Sequence, residues 1–203
     1  MLDASARRLL AGPLDRAARL IDRPWVTPNG LTLVGLGVGL AGALAAGFSA
    51  WPVALVLWLI SRLADGLDGP LARRRAVFGK HNSSAGGFLD IAADFTCYGG
   101  FVMGVAVGAG GSALPFLAVL LAYYINGTAF LAFSSAAERS GRQLRDGRTF
   151  SFIGGLAEGT ETIIVHSVWC IVPQYAAQVA WPWAAIVGLG ASQRVLVGFK
   201  ALS

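Results

Sequence analysis

DGLDGPLARRRAVFGKHNSSAGGFLDIAAD, residues 65–94, decides how the rest of the chain is read. It holds four of the eleven acids, Asp65, Asp68, Asp90 and Asp94, between two strongly apolar flanks. Asp65 and Asp68 are three apart and Asp90 and Asp94 four apart, so in helical segments each pair puts two carboxylates on one helix face. Two such helices side by side make a four-carboxylate cluster. An ionisable residue at mid-bilayer costs roughly 2.5 to 3.5 kcal/mol, so four with only a structural role would cost on the order of 10 kcal/mol. Metal binding or catalysis accounts for them better.

The small residues of the same stretch point the same way. Gly69 and Ala72 continue the face of Asp65 and Asp68, and Gly86 precedes Asp90 by one turn, which leaves a flat floor beside the acids. Pro70 has no N–H and clashes with the turn before it, so a bend or fray is expected there, freeing the Gly66 carbonyl. Arg73 follows near the helix end, where an arginine within reach of carboxylate-bound metal suits a phosphate ligand. Hard carboxylate oxygens with no His or Cys cluster favour Mg²⁺ or Mn²⁺, and four acids can hold two such ions.

Composition sets the surroundings. Of 203 residues, 55% are hydrophobic and only 13% charged, and the apolar runs approach bilayer length, so the expectation is an all-α polytopic membrane protein. The net charge of +5 comes mostly from arginines between apolar runs, which suits anionic lipid headgroups and gives no sign of a nucleic-acid partner. Cys97 and Cys170 both fall inside apolar runs, which argues against a disulfide framework and a thiol metal site.

Residues 1–28 mix leucines with Arg7, Arg8, Arg16, Arg19 and Arg23, the pattern of an amphipathic segment on the membrane surface, with a break expected at Gly12 and Pro13. Thr27 then reads as a helix cap with Pro28 in the first turn. Gly35 and Gly39 give the first span a GxxxG face for close packing within the monomer. Apolar runs near 31–48, 51–72, 87–109, 112–136, 153–173 and 179–198 predict six spans, so residues 29–203 form one membrane domain. The connections near 49, 110 and 176 carry no Lys or Arg, whereas Arg73 to Lys80, Arg139 to Arg148 and Arg194 to Lys200 are basic clusters. By the positive-inside rule, both termini and the aspartates face the cytoplasm.

Downstream, Glu158, Glu161, Thr162 and His166 sit on adjacent faces of one helix start. They read either as a polar pocket for an acceptor or as an acid-capped helix end with a hydrogen-bonded packing histidine. Tyr123, Tyr124 and Asn126 suit interhelical bonding. Arg139, Arg142, Arg145 and Arg148, spaced by three, present cations to headgroups or follow the topology rule alone.

The central stretch resembles the signature of the CDP-alcohol phosphotransferase family of integral membrane enzymes. That signature runs Asp, two residues, Asp-Gly, two residues, Ala-Arg, a spacer, Gly, three residues, Asp, three residues, Asp. Asp65, Asp68, Gly69, Ala72, Arg73, Gly86, Asp90 and Asp94 match every fixed position, while the spacer runs from Arg74 to Ala85, about one helical turn longer than usual. Thr27-Pro28-Asn29 followed by Leu31-Thr32 is similar to the family's usual approach to its first helix.

The resemblance implies transfer of a substituted phosphate from a CDP-linked lipid, often CDP-diacylglycerol, to an acceptor hydroxyl of a small alcohol or lipid, with release of CMP. It implies Asp65, Asp68, Asp90 and Asp94 as the metal-site acids, the first three as the main ligands and Asp94 also as the general base. Gly69, Ala72, Arg73 and Gly86 would line the nucleotide site, and a homodimer is implied. Two rival readings are a cation transporter and an aspartate-rich, Mg²⁺-dependent polyprenyl transferase. The first does not explain the Gly-x-x-Ala-Arg register, and the second resembles longer chains with two separated motifs.

Overall fold

A computed structural model describes residues 2–77, 84–139 and 158–203. Among the described residues every regular element is helical: α1 (Leu2–Ile21), α2 (Pro28–Gly47), α3 (Trp51–Val77), α4 (Ser84–Ala109), α5 (Leu114–Arg139), α6 (Gly159–Ile171) and α7 (Ala176–Leu202). A single 3₁₀ turn, Pro173–Tyr175, leads into α7. The basic run from Arg142 to Arg148 lies outside the described residues, as do residues 78–83 of the spacer.

Thr27 caps α2 as expected, with the Gly30 N–H donating to Thr27 Oγ1 at 3.0 Å and Pro28 in the first turn. α2 then packs between α3 and α4. The fit depends on its bare face: a Cβ on Gly39 would collide with Cys97 Sγ and lie 2.7 Å from Ser61 Oγ, and one on Gly35 would lie 3.3 Å from the Ser61 carbonyl oxygen. The GxxxG spacing thus serves packing inside the chain. α5 pairs with α7, and α6 bridges to α3 through Trp58 Nε1, which donates to the Ile163 carbonyl at 3.3 Å.

The break expected at Pro13 and the fray expected at Pro70 do not occur. α1 is one helix through Gly12 and Pro13, and α3 runs through Pro70 to Val77 without fraying. A proline removes one intrahelical donor, and on exposed α1 the carbonyl left without it can face water or headgroups, while the flanking Ala, Leu and Arg are strong helix formers. Beyond Pro70 the helix is pinned from outside, because Leu71 is fully buried and Asp22 accepts from Arg74 Nε at 2.9 Å and Arg75 Nε at 3.0 Å.

Among the described residues four stretches are long and apolar enough to cross a membrane: Pro28–Gly47, Ser84–Ala109, Leu114–Arg139 and Pro173–Leu202. α3 has the length, but its second half carries Arg62, Asp65, Asp68 and Arg73; the described part of α6 is only 13 residues long. Leu44, Val107, Leu117, Leu121 and Leu189 point outward along these helices, a distribution suited to lipid tails. Inside lies a core of Trp58, Phe101, Phe116, Trp169 and Trp183. The α2–α3 turn is tied to the end of α4 by Ser49 Oγ, which donates to the Gly108 carbonyl at 2.8 Å, so two of the charge-free connections share one end of the bundle.

Candidate active site

The helical offsets of the central stretch place its acids where two neighbouring helices meet. Asp65, Asp68 and Asp90 each offer a carboxylate oxygen, and those oxygens lie within 4.8 Å of one another. Among the described residues this is the one such group of potential metal ligands. Asp68 is held from a third helix: Thr32 Oγ1 on α2 lies 2.6 Å from Asp68 Oδ2 and 3.2 Å from the Pro28 carbonyl. All-oxygen donors clustered at this spacing, with one carboxylate fixed by a hydroxyl, suit a small hard divalent cation.

Asp94 stands apart from that trio. Its Oδ1 accepts from Arg62 Nη1 at 2.6 Å, and the same nitrogen is 3.9 Å from Asp65 Oδ2. Arg62 is only 7% exposed, so its charge would be costly without this pairing. Its guanidinium lies 5.0 Å from the Trp58 ring and 4.9 Å from the Tyr98 ring, distances at which cation–π attraction operates. Nη2 donates to Ser61 Oγ at 3.0 Å, and Ser61 Oγ donates to the Gly35 carbonyl at 2.6 Å.

All four aspartates line one cavity of ≈ 1030 Å³. Gly69 and Arg73 line it too, and Arg73 folds back over Gly69, with Nη1 3.2 Å from where a Cβ would sit. Ala72 and Gly86 are half-buried and lie outside the described lining. Across the cavity stand Asn126, Glu158, Thr160 and Arg194. Arg194 is buried and its Nη1 donates to Asn126 Oδ1 at 2.9 Å, so this member of the C-terminal basic cluster belongs to the interior.

The capping reading of the α6 start holds. Glu158 and Glu161 form a capping box, with the Glu158 N–H donating to Glu161 Oε2 at 3.3 Å, yet Glu158 also lines the cavity. His166 is fully buried, stacked on Phe101 and Trp169, with Nε2 3.1 Å from the Tyr123 hydroxyl. Trp183 Nε1 donates to that hydroxyl at 2.8 Å, which gives Tyr123 the interhelical role expected of it. Cys97 and Cys170 are buried free thiols.

Arg62, Ser61 and the contact of Thr32 with Asp68 are what the sequence reading missed. A signal existed for Arg62, a lone cation in an apolar run, four residues after Trp58 and three before Asp65 on one helix face.

A family model for CDP-alcohol phosphatidyltransferase matches residues 25–190, spanning the carboxylate cluster and most of the bundle. The chain belongs to that family. As a CDP-alcohol phosphatidyltransferase it is a membrane transferase of phospholipid synthesis, and the transporter and polyprenyl transferase readings are set aside. It is 36% identical over 210 residues to inner membrane protein YnjF of Escherichia coli (strain K12), an alignment covering 100% of this chain and 97% of that protein.

Among solved structures, phosphatidylinositol phosphate synthase PgsA1 of Mycobacterium tuberculosis with CDP-DAG bound superposes with a TM-score of 0.73 at 21% identity. That likeness covers 94% of this chain and 96% of that one. The same enzyme in complex with manganese and citrate gives 0.73 at 21% identity, covering 94% and 92%. At this identity the likeness establishes the fold.

Proposed function

We propose that the protein transfers the phosphatidyl group of CDP-diacylglycerol to a hydroxyl of a small alcohol or lipid, releasing CMP. The observation that carries this reading is the convergence of the four signature acids on one cavity. Carboxylate oxygens of Asp65, Asp68 and Asp90 lie within 4.8 Å of one another, and Asp94, paired with Arg62, lines the same cavity. Binding of CDP-DAG by one PgsA1 structure, and of manganese and citrate by another, supports the donor and the metal class.

Asp65, Asp68 and Asp90 would hold Mg²⁺ or Mn²⁺, with enough carboxylate oxygens for two ions. When bound, the ions supply charge neutralisation for the diphosphate and for departing CMP. Arg73, folded over Gly69 beside the acids, would meet a phosphate oxygen, and the family resemblance adds Ala72 and Gly86, which lie outside the cavity lining, to the nucleotide side. Asp94 takes the proton of the acceptor hydroxyl, whose oxygen attacks the lipid-bearing phosphorus; the bond from that phosphorus to the CMP oxygen breaks. Glu158, Asn126 and Arg194 form the polar wall where the acceptor would be held.

The surrounding arrangement follows from charge. Six spans, with α3 and α6 completing the four apolar ones, put both termini and the cavity on the cytoplasmic side, and α1 lies on that membrane surface as an interfacial helix. Leu9 and Leu20, each 78% exposed, are the side chains α1 would offer to lipid. The family resemblance also favours a homodimer, which crosslinking in native membranes would trap; recovery of monomer alone removes that part.

The deciding experiment is CMP release by purified protein given CDP-diacylglycerol, Mg²⁺ and one acceptor alcohol at a time. One acceptor should support metal-dependent release and form the matching phospholipid. Release that needs no acceptor, or no release with any acceptor, would count against the transfer.

A further inference from the structure

Arg73, Arg74 and Arg75 are consecutive on α3, yet their surroundings differ. Arg73 lines the cavity with its guanidinium folded over Gly69, whereas Arg74 and Arg75 are both engaged by one acid at the end of α1. We infer that Asp22 is a positioning residue for the donor nucleotide: by clamping Arg74 and Arg75 it fixes the end of α3 so that Arg73 faces the diphosphate. This inference rests on the phosphate contact proposed for Arg73.

The need for a clamp arises at Pro70. A proline has no N–H to give to the carbonyl four residues back, here that of Gly66, and its ring presses on that carbonyl, so the helical ladder is weakest just before Arg73. α1 lies against α3 on both sides of this weak point. Leu14 packs at Gly66, where an added Cβ would lie 3.8 Å from both of its Cδ atoms, and Ala18 is buried one turn on. Asp22, a further turn along and just past the end of α1, meets Arg74 and Arg75. Residues 14, 18 and 22 are spaced by four, so one face of α1 splints α3 from Gly66 to Arg75.

Both carboxylate oxygens of Asp22 take part. Oδ2 accepts from Arg74 Nε at 2.9 Å, and Oδ1 accepts from Arg75 Nε at 3.0 Å and Arg75 Nη2 at 2.9 Å. Nη2 also donates to the Arg23 carbonyl at 2.8 Å. Two guanidinium groups on one carboxylate resist rotation of the helix end, because turning α3 draws both away together. Arg73 is exposed and its head rests against bare Gly69, so the direction of its backbone decides what its guanidinium reaches. The clamp also engages two of three adjacent cations, which leaves the third to draw the anionic donor.

The test is a double-mutant cycle between Asp22→Asn and Arg73→Gln. It is read by calorimetric binding of CDP-diacylglycerol with Mg²⁺ and no acceptor, and by Mn²⁺ binding alone, followed by electron paramagnetic resonance. Asp22→Asn should weaken CDP-diacylglycerol binding about 3- to 10-fold in the parent and by less than about 2-fold when Arg73 is already Gln, because Asp22 acts through that arginine. Mn²⁺ affinity should stay within about 2-fold of the parent, since the clamp touches none of the clustered acids and its charge is screened by salt. Asp22→Glu, which keeps the charge, should restore most of the nucleotide affinity.

Equal losses in both backgrounds, or a matching fall in Mn²⁺ affinity, would overturn the inference, as a residue that merely holds the fold predicts both. Tighter binding in Asp22→Asn would overturn it as well, since the released Arg74 and Arg75 would then be attracting the diphosphate by charge alone. Should Asp22→Asn fail to fold, Arg75→Gln breaks the same clamp from α3 and completes the cycle. If Arg73→Gln alone binds CDP-diacylglycerol as well as the parent, the phosphate contact is what fails and the inference falls with it. If Arg73→Gln binds weakly while Asp22→Asn binds normally, only the inference falls.

Discussion

The Thr32 hydroxyl on α2 reaches Asp68 on α3 at 2.6 Å, across 36 residues of sequence, and makes α2 part of the carboxylate cluster. A ligand fixed by an outer partner loses its preferred orientation when that partner goes. Thr32→Val keeps the shape and removes the hydroxyl, so Mn²⁺ affinity should fall roughly 10- to 100-fold while the protein stays folded. Mn²⁺ titration of the purified variant checks this, and an unchanged affinity would mean that Asp68 is held adequately by its own helix.

Gly39 tests the packing of α2. Its missing Cβ is space already taken by Cys97 Sγ and Ser61 Oγ, so Gly39→Ala must displace one of them and should cost about 1–3 kcal/mol in stability. Thermal unfolding in detergent should show a lower midpoint, partly restored by a second change, Cys97→Ala.

A third expectation concerns Asp22, which joins the end of α1 to the end of α3. Hydrogen bonds from Arg75 and then Arg74 hold its carboxyl below its ordinary value of 3.8. A lowered folded value means that the contribution is complete above the ordinary value and is lost only as pH falls through the lowered one. Amide exchange across residues 9–21 should therefore be steady, after correction for the intrinsic rate, between about pH 5 and 8 in the parent. In Asp22→Asn it should be faster over that whole range. Equal exchange in the two proteins would show that α1 is held without the ion pairs.

The topology can be read by labelling single cysteines in a background lacking Cys97 and Cys170. A cysteine at Gly110 should react with an impermeant reagent from outside and one at Lys200 only from inside; the reverse result contradicts the orientation.

How much of this was readable in advance depended on whether the signal was local. The four aspartates were legible because their offsets of three and four fix their faces once helices form, and Thr27 because capping chemistry acts within one turn. Gly35 and Gly39 were legible as a bare face, though not what fills it. Pairings across helices were hidden: Arg62 with Asp94, Asp22 with Arg74 and Arg75, and Arg194 with Asn126 need the neighbours of α3 and α7 to be known. Pro13 misled where a break was expected, and Pro70 where fraying was. Pro13 and Pro70 weaken a helix locally, but contacts from elsewhere hold α3 together beyond its proline.

The central claim is that Asp94 does a different job from Asp65, Asp68 and Asp90. Calorimetric titration of Asp65→Asn and Asp94→Asn with a CDP-alcohol in the presence of Mg²⁺, paired with turnover of the same preparations, tests it most directly. Asp65→Asn should lose both binding and turnover. Asp94→Asn should bind within roughly tenfold of the parent, about 1.4 kcal/mol, while turnover falls by about 10² to 10⁴. Loss of nucleotide binding in Asp94→Asn as complete as in Asp65→Asn would contradict the account and make Asp94 a fourth metal ligand.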